Sequence, residues 1–148
     1  AARKRALPTL PRKIGIVTRN CRRVSVGLME RYGLPHDALL TRDDVAKAKP
    51  NPEHLWDTLR VLGAEADDAA MVGDHWMDVQ AGQAAGCAAT LGVRGQRSDV
   101  LSDEGAQEVA ALIPNARVAT INAAGHLAAG DNPESTVSLV RAFLDELA

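Results

Sequence analysis

Residues 70–78 read Ala70-Met71-Val72-Gly73-Asp74-His75-Trp76-Met77-Asp78. A short apolar run ends in a glycine and passes through a carboxylate into a segment with helical spacing that Gly86 closes. The pattern predicts a buried strand over 70–73 and a helix over 77–85. Asp74 then lies in the loop at the strand end and Asp78 about one turn on, both toward the same cleft. Two carboxylates on one side of a cleft suit a hard divalent cation such as Mg²⁺, which takes oxygen ligands and keeps waters for a substrate phosphate. A plainer reading of the same residues makes Asp74 a helix cap and Asp78 a solvated acid of the first turn.

The alternation of strand and helix continues outward in both directions. Ile14 to Thr18, Ala88 to Val93 and Arg117 to Ile121 carry strand patterns. Helices are predicted from Arg23 to Tyr32, closed by Gly33; from Asn51-Pro52-Glu53 to Gly63; from Asp103 to Ile113, stopped by Pro114; and from Asn132-Pro133-Glu134 to Leu147. The last has Val137, Val140, Phe143, Leu144 and Leu147 on one face. Strands alternating with helices predict a single α/β domain over 1–148, a three-layer Rossmann-like arrangement with a mostly parallel sheet. In such sheets ligands sit beyond the carboxyl ends of the strands, which selects Thr18-Arg19-Asn20, Asp74 and the residues from Asn122 onward.

Composition limits the alternatives. The 148 residues are 46% hydrophobic and 24% charged, the profile of a globular domain with a sizeable core. No apolar run approaches the roughly 18 residues that a bilayer-spanning helix needs, and Ala1 to Leu10 lacks a secretory h-region, so a cytoplasmic setting is expected. Cys21 and Cys87 fit no zinc spacing and read as reduced thiols, Cys21 as a small apolar filler. Residues 1–23 hold eight Lys and Arg and no acid, leaving nine basic against nineteen acidic side chains in the rest. With one Phe, one Tyr and two Trp available for stacking, this arm argues against nucleic-acid binding and for a solvated end or a positive field beside an anionic substrate.

Lys49 precedes Pro50-Asn51-Pro52, a stiff segment just before a helix. Taken with Ile14 to Asn20 and Gly73 to Asp78, it resembles the haloacid dehalogenase (HAD) superfamily of phosphatases, phosphoglycolate-phosphatase type, over about residues 7–91. Thr41-Arg42-Asp43-Asp44 and Gly82 to Gly86 add to the likeness. The resemblance implies that Thr18 and Asn20 bind a transferring phosphoryl group, that Lys49 neutralises its charge, and that Asp74 and Asp78 hold Mg²⁺ in the hydrolysis of a small phosphate ester. It also implies a strand ending in Asp-x-Asp, the nucleophile and general acid, lying centrally between the strands that carry Thr18 and Asp74. This sequence holds no Asp-x-Asp. The chain alone is therefore expected to be inactive or weak, and the two flanking strands must pair directly, or another segment or a second chain must lie between them.

Residues 92–147 resemble the C-terminal end of an α/β-hydrolase, which implies that Asp99 orients His126 as the general base of a triad. The Gly-x-Ser-x-Gly elbow is absent; Arg23-Val24-Ser25-Val26-Gly27 keeps the serine and one glycine but lies in a predicted helix. His126 reads equally as a loop histidine bonded to backbone, and His36 and His54 as surface histidines. His75 and Trp76 wall a pocket or simply pack. Three functions follow as expectations: a HAD-like phosphatase or its remnant; a non-catalytic binding or assembly module, a homodimer covering exposed strand edges; and an esterase using Asp99 and His126.

Overall fold

The computed structural model describes residues 12–98 and 102–147. In chain order these form β1 (Gly15–Val17), α1 (Arg22–Tyr32), β2 (Ala38–Leu40), α2 (Glu53–Leu62), a single 3₁₀ turn (Ala66–Asp68), β3 (Ala70–Gly73), α3 (Trp76–Ala85), β4 (Ala89–Gly95), α4 (Asp103–Leu112), β5 (Ala116–Ile121), α5 (Ala128–Asp131) and α6 (Pro133–Asp145). The punctuation in the sequence sets the boundaries. Gly63 and Gly86 end α2 and α3 in the left-handed region, where a Cβ is penalised. Asn132 caps α6 by accepting from Ser135 N, with Pro133 at its first position. Pro52 holds the N-cap position of α2, and the Asn51 side chain accepts from Glu53 N.

Every strand pairing is parallel, and the order is β1-β2 in one sheet and β3-β4-β5 in another. This is an α/β fold of the expected Rossmann-like kind, with three layers around the larger sheet. Ala89, Leu91 and Val93 of β4 alternate toward Ala128 of α5 and Phe143 of α6. On the opposite face Gly92 meets Val79 of α3, and Thr90 lies under Gly82. On α6 it is Leu139 rather than Val137 that joins the core; Val137 is 57% exposed.

The expected single sheet is divided. Among the described residues β1 and β3 do not pair, and no strand lies between them. The C-terminal half does not fill that position: β5 adds to the far edge of β4, because a parallel crossover through one helix returns to the neighbouring position. The two sheets are joined by side chains. Leu55 of α2 packs with Ala81 and Ala85 of α3 and with Cys87, and Val17 of β1 and Met71 of β3 pack against this cluster. Trp56 Nε1 donates to the Ala85 carbonyl at 3.1 Å across the same boundary. No helix among the described residues is long and apolar enough to cross a membrane.

Candidate functional site

The ends of β1, β2 and β3 carry the polar residues that the sequence singles out. Thr18 follows β1. Its N–H donates to the Leu40 carbonyl at 3.0 Å, and its Oγ1 accepts from Asn20 N at 3.1 Å, which curls the loop back on itself. Asn20 is exposed, and its carbonyl accepts from Arg42 N. Arg42 belongs to the loop after β2, where Thr41 N and Oγ1 donate to Asp44 Oδ2 at 2.7 and 2.6 Å. Those two bonds, aided by Arg22, hold the Asp44 carboxyl below the usual carboxylate range. Asp43 accepts from Arg22 N and so caps α1.

Lys49 and Asp78 meet. Nζ lies 2.6 Å from Asp78 Oδ1, and the two side chains are 10% and 8% exposed. Asp78 Oδ2 accepts from His75 N at 3.1 Å, while His75 Nδ1 accepts from Met77 N, a reciprocal cap at the start of α3. Gly73 makes room for this, since a Cβ there would lie 2.2 Å from Asp78 Oδ2. Asp74 is exposed and makes no hydrogen bond or ion pair among the described residues. Arg19 reaches across from the Thr18 loop, its Nη1 3.1 Å from Met77 Sδ. Trp76 is 43% exposed, its ring centroid 5.6 Å from that of His75.

His54 is not the surface histidine that its polar neighbours suggest: it is 0% exposed. Its Nε2 lies 3.1 Å from the Leu40 carbonyl, and its Nδ1 accepts from Lys49 N at 3.3 Å. Burial is the main cause of a ring pKa below the ordinary value. A continuous hydrogen-bonded path thus runs from Thr18 through Leu40 and His54 to Lys49, and from Lys49 through Asp78 to the start of α3.

The resemblance implies a magnesium site at Asp74 and Asp78, and the residues present do not by themselves fit one. Asp78 is neutralised by Lys49 and occupied by the helix cap, leaving Asp74 as the carboxylate without a partner at this site among the described residues. Among the described residues no group of three or more His, Cys, Asp or Glu could hold a metal ion.

The second expected constellation finds no support among the described residues. His126 is exposed, and among the described residues no serine or cysteine is hydrogen-bonded to it; Asp99 lies outside them. Ser25 is buried within α1, where its Oγ donates to the Cys21 carbonyl, a helix-internal bond rather than a poised nucleophile. Burial pushes the Cys87 thiol up to about 11.

The haloacid dehalogenase-like hydrolase family matches residues 5–91, more than half of the sequence. The chain belongs to that family. Over 76 residues it is 43% identical to pyrophosphatase PpaX of Bacillus cereus (strain AH820), a match covering 50% of this chain and 35% of that protein. The chain thus spans about a third of the length of the curated relatives it matches. A HAD phosphatase structure from Thermococcus onnurineus is 33% identical with a TM-score of 0.51, covering 55% of this chain and 39% of that one. A beta-phosphoglucomutase-like structure from Thermotoga maritima shares the fold over 87% of this chain and 52% of its own, at 19% identity and a TM-score of 0.60. That alignment carries the shared fold past residue 91. None of these likenesses supports an α/β-hydrolase reading of residues 92–147.

Proposed function

We propose that this chain forms the phosphate-binding side of a HAD-type phosphatase site acting on a small phosphate ester. Thr18 and Asn20 offer a hydroxyl and amide groups to the phosphoryl oxygens, and Lys49 supplies the compensating charge. The observation that supports this best is the hydrogen-bonded path that ties the Thr18 loop to Lys49. Beside a nucleophile, phosphoryl transfer requires positioning and charge stabilisation, and the path that ties the Thr18 and Lys49 segments together supports both roles. The Lys49 ammonium has three donors, and its bond to Asp78 uses one, so two remain for an anion. The pyrophosphatase relative makes inorganic pyrophosphate the first substrate to test. The family's magnesium would find Asp74 without a hydrogen bond or ion pair among the described residues and needs further carboxylates from beyond the described site residues. Cys21 and Cys87 are free thiols, which suits a reducing cytoplasmic setting.

The nucleophile is what this set lacks, since the sequence holds no Asp-x-Asp. The isolated chain is therefore expected to bind phosphate without hydrolysing p-nitrophenyl phosphate above the blank, with or without Mg²⁺. Robust metal-dependent turnover that Asp74→Ala abolishes would overturn this assignment.

A second reading, an assembly module in which two copies cover each other's strand edges, is favoured by one observation: the edges of β1 and β3 that are unpaired among the described residues.

A further inference from the structure

His54 sits at the start of α2 with no accessible surface, and both ring nitrogens are committed. The Leu40 carbonyl can only accept, so the Nε2 that faces it carries the proton. Nδ1 accepts from the Lys49 backbone N–H and so carries the lone pair. Both bonds demand the same neutral tautomer. The Leu40 carbonyl also accepts the Thr18 N–H at 3.0 Å, so one imidazole links the two backbone segments that present Thr18 and Lys49.

We propose that His54 is a positioning residue: as the neutral Nε2–H imidazole it sets the spacing between Thr18 and Lys49, and a proton taken up at Nδ1 unties the Lys49 segment. The added proton turns the acceptor into a donor that faces another donor, the Lys49 N–H. The charged groups around the ring are Lys49, which opposes a second positive charge, and Asp44 and Asp57, which favour it. Burial is the largest influence and keeps the ring neutral, below the ordinary 6.5. Because the folded value is lowered, the stabilisation is whole above the unfolded value of 6.5 and is lost as pH falls through it toward the folded one.

The strut stands on its own geometry, while its effect on anion binding rests on the phosphate reading; two measurements on the full chain separate them. In long-range ¹H–¹⁵N spectra His54 is expected to show the Nε2–H tautomer at neutral pH and to titrate below 6.5, with the Lys49 amide shifting at the same midpoint. An Nδ1–H tautomer, a midpoint at or above 6.5, or a Lys49 amide indifferent to the titration overturns the proposal. Sulfate, whose charge is constant over the range, is the probe of the site. Between about pH 7.5 and about pH 5 the native chain is expected to lose at least about threefold more sulfate affinity than His54→Gln, whose amide can donate to Leu40 but takes up no proton. Equal profiles overturn the link between His54 and the site. Absence of sulfate binding at neutral pH by either chain overturns the phosphate reading, and the spectra then decide the strut alone.

Discussion

Gly73 and Asp78 share one volume. A Cβ at position 73 would lie 2.2 Å from Asp78 Oδ2 and 2.3 Å from its Cβ, closer than atoms pack, so Gly73→Ala must displace the carboxylate from Lys49 and from the α3 cap. Removing one partner of a buried ion pair leaves the other charge uncompensated. Gly73→Ala and Lys49→Ala are each expected to lower unfolding free energy in urea by about 3 kcal/mol. The double variant is expected to cost clearly less than their sum, because both changes break the same pair. Additive losses would show that Gly73 acts elsewhere. At this scale the sequence yields the residue types but not their partners. Asp78 and Lys49 are 29 residues apart, and the spacing of neither reveals that they neutralise each other. His54 is the sharper case: in Pro52-Glu53-His54-Leu55-Trp56 nothing marks it as buried, and although the Lys49 N–H comes from the stretch just before the helix, the Leu40 carbonyl comes from β2.

Two helical glycines separate backbone propensity from packing. Gly82 lies in α3 where a Cβ would sit 2.4 Å from Thr90 Cγ2 and 2.8 Å from the Met71 Cβ, whereas Gly27 in α1 has nothing within 4 Å of its virtual Cβ. Replacing an interior helical glycine by alanine gains roughly 0.5–1 kcal/mol of propensity, and overpacking a tight contact costs roughly 1–3 kcal/mol. Gly27→Ala is therefore expected to raise the urea midpoint. In Gly82→Ala the clash outweighs the propensity, and the midpoint is expected to fall. A stabilised Gly82→Ala would mean that α3 can lift from the sheet without cost. The elements themselves were largely legible, because caps and glycine stops are local: five of the helices and four of the strands lie where apolar period and punctuation put them. β2 was not. Ala38-Leu39-Leu40 is three residues long with no β-branched side chain, and it is a strand because β1 lies alongside it.

The whole molecule is organised around a division between two parallel sheets, bridged by the Leu55 cluster and by the Lys49 and Asp78 pair. Exposed strand edges invite pairing with another chain. If assembly is the function, light scattering on the purified chain is expected to return twice the chain mass, and a monomeric mass across the micromolar range would remove that reading. The sequence by itself determined the α/β class, the parallel pairing and the family, because hydrophobic period, helix caps and short motifs are properties of neighbouring residues. It also showed that no Asp-x-Asp is present. Only the tertiary structure decided where β5 pairs, that Asp78 serves Lys49 and the α3 cap, and that His54 joins Thr18 to Lys49. Those outcomes depend on burial and on pairings across the chain, Lys49 with Asp78 and His54 with the Leu40 carbonyl above all, which the spacing of neighbouring residues does not encode.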